Sequence, residues 1–386
     1  MIKILKNAEV YAPAYMGKKD VLIIGDKIAR IEDSIVGYEG LPEVEIFDLT
    51  GKKIVPGYID MHVHITGGGG EAGPASRCPE SQLSVFVKNG VTTLIGLLGT
   101  DGVTRSIENL VAKARALNEE GITVYTITGS YGYPARTYTG RVEDDIVMIT
   151  PMIGVKVAVS DHRSSNPQGE ALIQLGTSCR RAGLISGTPG LVVMHMGDGK
   201  GSLDPLFYAL DNSDLPAKHF LPTHILRKAS LIDDAEKLVK RGGYIDCTVG
   251  DDAVKVYESA DKLYELLTRE GMDIEHVTLS TDSYGSMPRF DEKGNCVGLT
   301  YATPKYLHKT IQILVEKGMA LEEALKLVTT NSAYLLGKEG IKGCVQVDAD
   351  ADILVLDENL DINSLFAKGK TALLHGEVLM KGRFEL

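Results

Sequence analysis

The sequence contains no C-x-x-C pair. Its five cysteines, Cys78, Cys179, Cys247, Cys296 and Cys344, are odd in number and widely spaced, which argues against a disulfide framework and for reduced thiols in the cytoplasm. They read as small buried hydrophobes. Clustered lysine and arginine are also missing. With 41 basic against 52 acidic residues the formal charge is -11, and this disfavours nucleic acid and anionic membranes as partners, because both are bound through basic clusters. No apolar run is long enough to span a bilayer. Residues 1–9 scatter charges among apolar residues and offer no small-residue cleavage site, so neither a signal peptide nor an anchor is expected there. No low-complexity tract or flexible linker divides the chain.

What is present is the composition of a soluble globular protein, 44% hydrophobic and 24% charged. At 386 residues the chain exceeds the size at which one core keeps growing, although α/β barrels of about 250 residues form single domains. One large domain and one smaller domain are expected. From residue 58 onward, β-rich apolar runs alternate with longer amphipathic stretches. Eight runs can be counted, at 58–62, 91–98, 122–128, 153–159, 191–196, 219–224, 244–249 and 277–281. Helices are expected between them, for example at 106–120 and at 232–241 before a Gly-Gly stop. Eight βα units favour a closed (β/α)8 TIM barrel over residues 56–342. Residues 1–55 and 343–386 carry short β segments and turns, and together they are expected to form a small β-sandwich-like domain.

The most informative segment is Val55-Pro56-Gly57-Tyr58-Ile59-Asp60-Met61-His62-Val63-His64. Residues i and i+2 of a strand share a face, so His62 and His64 can present two imidazoles to one metal ion at the strand end where barrels keep their chemistry. The alternative is a pair of ordinary histidines on a half-buried strand. Four consecutive glycines, Gly67 to Gly70, follow and suit neither strand nor helix; they allow a close backbone approach. Three later runs also end on ligand-type residues: the fifth at His195, the sixth at His224 and the eighth at Asp282. Each taken singly could be a satisfied core residue. Gathered on one barrel face, they point to a metal site. Lys156 falls within the fourth run, where an ammonium is costly to bury. It is either snorkelling or ion-paired, or its pKa is lowered by burial and the neutral amine adds carbon dioxide to become a carbamate able to bridge two cations.

The Pro-Gly-x-Ile-Asp-x-His-x-His segment, Lys156, His195, His224, Asp282 and the late Ala351-Asp352-Ile353-Leu354-Val355-Leu356-Asp357 resemble the amidohydrolase superfamily with a binuclear metal centre. Within it, Gly-Gly-Gly-Gly-Glu-Ala-Gly-Pro, Ser160-Asp161-His162-Arg163-Ser164, Pro222-Thr223-His224-Ile225-Leu226-Arg227 and Asp282-Ser283-Tyr284-Gly285-Ser286 resemble the isoaspartyl dipeptidases. The resemblance covers nearly the whole chain. It implies that His62, His64 and Asp282 hold the more buried of two divalent ions and that His195 and His224 hold the more exposed one. Carboxylated Lys156 and a hydroxide would bridge them. Zinc suits such mixed imidazole and carboxylate ligation. Asp282 is the natural proton carrier from attacking water to departing amine.

The resemblance also implies the substrate contacts. A β-aspartyl dipeptide carries a free α-amine, a neighbouring carboxylate and a terminal carboxylate on the leaving residue. Glu71 would bind the amine, Gly69, Thr100 and Ser286 would help hold the aspartyl end, and Arg163 and Arg227 would take the carboxylates. Tyr131 would donate to the carbonyl oxygen as it becomes an oxyanion, unless it merely packs at a loop base. The resemblance further implies a homo-oligomer. The expected function is hydrolysis of β-aspartyl dipeptides. Dihydroorotase, hydantoinase or N-acyl-amino-acid deacylase activity is the alternative with the same ligands, and a metal-free assembly protein is disfavoured because all six ligands are kept.

Overall fold

The computed structural model describes residues 2–38, 40–290 and 296–385. The side chains of Pro288, Phe290 and Cys296 fall outside the description, so the reading of Cys296 as a buried thiol lies outside the described residues.

Eight parallel strands organise the larger part: Tyr58–Val63, Val91–Gly96, Thr123–Gly129, Met152–Val159, Leu191–Met196, Phe220–Thr223, Ile245–Thr248 and Val277–Ser280. The first six form one sheet in chain order, and the last two pair with each other. Strand four is buried at all eight positions, as expected of a parallel strand covered on both faces. Two seams close the barrel. At one, Val63 bridges Ser283, and the His64 N–H donates to the Ser283 carbonyl at 2.8 Å. At the other, the Thr223 hydroxyl donates to the Asp246 carboxylate at 2.6 Å.

Helices shield the outer face of this sheet. Ile107–Glu120 begins after Ser106, whose hydroxyl accepts the Asn109 N–H at 3.2 Å, and it buries Ile107, Leu110, Ala114 and Leu117. The helix expected at 232–241 runs instead over Ala229–Val239. It starts earlier because Leu231, Ala235 and Leu238 form the i, i+4, i+7 stripe that has to be buried. An antiparallel hairpin, Ser286–Phe290 with Cys296–Tyr301, was not expected.

The two chain ends share one nine-stranded sheet. Its order is Glu377–Val378, Lys370–Leu374, Ile362–Ala367, Ile353–Leu356, Lys53–Pro56, Ile2–Tyr11, Tyr15–Ile24 and Lys27–Glu32, with Val44–Asp48 also paired to Ile2–Tyr11. Lys53–Pro56 is the join, antiparallel to Ile353–Leu356 and leading directly into barrel strand one. One face buries Leu5, Val10, Val21, Ile54, Ile353 and Phe366 together. Lys342 fixes this sheet to the barrel: its buried ammonium pairs with Asp350 at 2.8 Å and with Asp352, and donates to the Thr123 hydroxyl at 2.7 Å.

No helix among the described residues is long and apolar enough to cross a membrane.

Candidate metal centre and substrate cleft

The strand ends deliver four imidazoles, an amine and a carboxylate to one place. Ligand atoms of His62, His64 and Asp282 all lie within 4.8 Å of one another. His64 Nε2 is 2.9 Å and His62 Nε2 is 3.5 Å from Asp282 Oδ1. Lys156 Nζ is 3.0 Å from His62 Nε2. The His195 and His224 rings are 4.6 Å apart between centroids, and His224 is 5.2 Å from His62. All six predicted ligands are thus neighbours.

Their electrostatics suit cation binding. Burial lowers the pKa of all four histidines, His62 and His224 well below the usual range and His195 to about 3, so each ring is neutral and able to ligate at neutral pH. Burial also brings Lys156 down to about 7, against the pull of Asp282. Burial alone would raise Asp282, but the hydrogen bond from His64, followed by the positive charge of Lys156, outweighs it and holds the carboxylate ionised. His224 Nε2 is buried without a hydrogen-bond partner among the described residues, although buried nitrogens are normally satisfied. An orphaned imidazole nitrogen beside a clustered His-His-Asp set fits a resident divalent cation.

Local backbone explains the aim of two of these groups. His224 and Asp282 both adopt positive φ, 65° and 53°, where non-glycine residues are strained by about 1 to 3 kcal/mol. Each strand therefore ends in an abrupt turn that redirects its side chain. The glycine run turns out to approach its own chain closely. At Gly69, φ is 80° and a Cβ would collide with the Ser76 carbonyl. Gly99 lies against His64, where a Cβ would sit 3.1 Å from the ring.

The predicted substrate residues surround this group. Gly69, Glu71, Thr100, Tyr131, Arg163, Arg227 and Ser286 line the same cleft as His64, His195 and Asp282. Glu71 Oε1 faces Arg163 Nη1 at 3.8 Å. Arg227 Nη1 donates to the Met196 carbonyl at 2.8 Å and lies 3.3 Å from His195 Nε2. The Tyr131 hydroxyl is 2.9 Å from His195 Nδ1, and burial raises its pKa, so it remains a neutral donor.

Three supporting residues had no role in the sequence reading. Asp161 accepts from the Arg163 guanidinium at 3.0 and 2.8 Å and lies 3.1 Å from His195 Nε2, so it fixes the guanidinium and the imidazole at once. Thr248 meets His224 Nδ1 at 2.7 Å. Asp60, raised to about 7 by burial, accepts the His62 N–H at 3.3 Å, the Thr281 N–H at 3.1 Å and the Thr281 hydroxyl. It stitches strand one to the residue before Asp282. The signals were present in Asp161 two residues before Arg163 and Asp60 two before His62, but reading them requires knowing which strands adjoin. Asp60→Ala leaves those donors buried and unsatisfied, and should lower unfolding stability by about 2 to 4 kcal/mol in a denaturant titration; an unchanged midpoint would show that the seam does not depend on it.

Comparison with known proteins places this geometry. The chain is similar to the β-aspartyl dipeptidase of Fervidobacterium islandicum AW-1, whose structure in complex with β-Asp-Leu dipeptide it matches at 40% identity and a TM-score of 0.90, over 98% of this chain and 97% of that one. The chain belongs to the β-aspartyl dipeptidase family. A model of the amidohydrolase family matches residues 247–375. The D-hydantoinase of Thermus sp., 17% identical with a TM-score of 0.68 over 99% of this chain and 97% of that one, shares the fold. Dihydroorotase from Listeria monocytogenes is 37% identical over 134 residues, 33% of this chain and 30% of that enzyme; the chain spans under a third of the length of such curated relatives.

Proposed function

We propose that this chain is a binuclear metallo-dipeptidase that hydrolyses β-aspartyl dipeptides. The observation that carries the reading is the placing of Glu71 opposite Arg163, with Arg227 nearby, around the His-His-Asp group. A free α-amine needs an acid, and the two carboxylates of such a dipeptide need cationic forks. Glu71 binds the amine, Gly69, Thr100 and Ser286 border the aspartyl end, and Arg163 and Arg227 take the carboxylates. The chain's similarity to a β-aspartyl dipeptidase crystallised with β-Asp-Leu supports the same assignment.

His62, His64 and Asp282 would hold one cation and His195 and His224 a second, with Lys156 as a carbamate between them. Zinc suits these donors. Bound there, the cations supply Lewis acidity and make water nucleophilic at neutral pH. The chain's own groups do the rest. Asp282 Oδ1 takes a proton from the attacking water and passes it to the departing amine. Tyr131, neutral and fixed beside His195, donates to the carbonyl oxygen as charge develops. Asp161 keeps His195 and Arg163 in register. The four described cysteines, Cys78, Cys179, Cys247 and Cys344, are buried and unpaired, which supports a reducing cytoplasmic location.

The deciding experiment compares β-Asp-Leu with α-Asp-Leu. Only the former should be cleaved efficiently, because the α-isomer cannot present its scissile carbonyl with its amine at Glu71. In Glu71→Gln, kcat/KM for β-Asp-Leu should fall by roughly 2 to 5 kcal/mol of transition-state stabilisation, while an N-acetylated substrate, poor for the wild type, should lose far less. A silent Glu71→Gln, or preference for dihydroorotate or N-acyl amino acids, would hand the site to the cyclic-amidase or deacylase reading. The local likeness to dihydroorotase makes that the reading to exclude. Arg163→Met and Arg227→Met should each impair dipeptide hydrolysis, at least one of them more mildly with β-aspartyl amides that lack the terminal carboxylate.

A further inference from the structure

The cleft has a direction. On one flank it shares Gly69, Glu71 and Thr100 with a side opening, and on the proposed reading the amine-bearing end of the substrate lies there. On the other flank it shares Arg227, Asp282 and Met287 with a cavity of about 480 Å³ that runs past His224 to Asp251, Glu258 and Lys262. A leaving residue held by its carboxylate near Arg227 has its side chain at the mouth of this cavity.

The cavity's lining combines apolar and charged residues. Leu226 and Val249, both buried, and Met287 give it an apolar lining near the cleft. Also in its lining, the Asp251 side chain is only 7% exposed, and its Oδ1 receives the Lys255 ammonium at 2.8 Å. Its Oδ2 is buried with no hydrogen-bond partner among the described residues. A buried carboxylate oxygen without a donor is an unmet demand for an N–H or O–H. The charges around it nearly cancel, since Asp251 and Glu258 are matched by Lys255 and Lys262. An arriving carboxylate brings no hydrogen to this oxygen, and an arriving ammonium meets the Lys255 ammonium already on the same carboxylate, whereas a neutral donor fills the vacant oxygen without a like charge beside it.

We propose that this cavity receives the side chain of the leaving residue and selects an uncharged hydrogen-bond donor, for which glutamine is the probe. Its methylenes lie along Leu226, Val249 and Met287, and its amide N–H meets Asp251 Oδ2. The proposal rests on the β-aspartyl dipeptidase reading and deepens it by naming the substrate class.

The test measures kcat/KM for β-Asp-Gly, β-Asp-Gln, β-Asp-Glu and β-Asp-Met with wild type, Asp251→Ala and Asp251→Asn. Glutamine, glutamate and methionine are close in size, so donor, charge and apolar character are separated. Wild type should favour glutamine over both others by about tenfold or more, a hydrogen bond to a charged group being of that order. In Asp251→Ala the glutamine-to-methionine ratio should fall to about one, and Asp251→Asn, which keeps the shape, should also lower it. Ratios taken within one preparation are insensitive to the fraction folded. Hydrolysis of β-Asp-Gly together with equal kcat/KM for the other three in wild type would overturn the cavity assignment alone, as would an unchanged glutamine preference in Asp251→Ala. Failure of wild type to hydrolyse any of the four would overturn the dipeptidase reading and this proposal with it.

Discussion

Asp282→Asn should lower kcat for β-Asp-Leu by about two orders of magnitude or more, the usual scale for removing a general acid-base group. The substitution is well matched to the site. Asp282 adopts a φ of 53°, a conformation that asparagine tolerates better than most residues, so the backbone should hold its turn while the proton acceptor is lost. Because Asp282 Oδ1 is also within 2.9 Å of His64 and 3.5 Å of His62, metal content has to be measured on the same preparation. A metal-replete Asp282→Asn enzyme that turns over like wild type would remove Asp282 from the proton-transfer role. Reduced metal with reduced activity would assign it to ligation first.

Lys156→Ala should cost still more. Wild type is expected to hold close to two divalent ions per chain. The variant should lose much of that content and about three orders of magnitude or more in activity, since two cations supply several kcal/mol of transition-state stabilisation. The amine lies on a strand buried at every position, 3.0 Å from His62, so nothing nearby can replace a bridging carbamate. A short carboxylate added to the medium should restore part of the activity by occupying the vacated volume. Circular dichroism and the unfolding midpoint separate loss of metal from loss of fold. Elemental analysis that finds one ion or none in fully active wild type would rule out the binuclear centre.

The residues that could be read from the sequence share one property: their meaning is set by position along a single strand. His62 and His64 are two apart on a strand, and His195, His224 and Asp282 each end an apolar run, so period and punctuation sufficed to bring them forward as ligands. The structure gathers them with Lys156 in one cluster. Asp161, Thr248 and Asp60 were overlooked as partners because their meaning lies across strands. Asp161 reaches His195 only because strands four and five pair in the observed register. Asp60 matters only because the barrel closes strand one against the segment after strand eight. The hairpin of Ser286–Phe290 and Cys296–Tyr301 escaped for a different reason: Val297, Leu299 and Tyr301 are exposed, so no buried face imposed a legible alternation, and Pro288 spoke against a strand. The annex beyond Arg227 was equally invisible, since Asp251 and Glu258 are ordinary acids until a cavity wall is drawn around them.

The sheet shared by the two chain ends carries a consequence for synthesis. The strand Lys53–Pro56 leaves the ribosome early, yet Ile353–Leu356, which covers its free edge, follows about 300 residues later. At roughly 5 to 20 residues per second, that edge stays open for about 15 to 60 seconds while the entire barrel is being translated. An uncovered apolar strand edge is a site for pairing with the wrong chain, so nascent copies on neighbouring ribosomes are exposed to one another throughout this interval. The arrival of residues 353–378 thus sets the length of that interval. A silent slow-codon cluster placed just upstream of residue 353 should increase the insoluble fraction without altering the specific activity of the soluble enzyme, and the same cluster placed upstream of residue 53, before that edge has been made, should not.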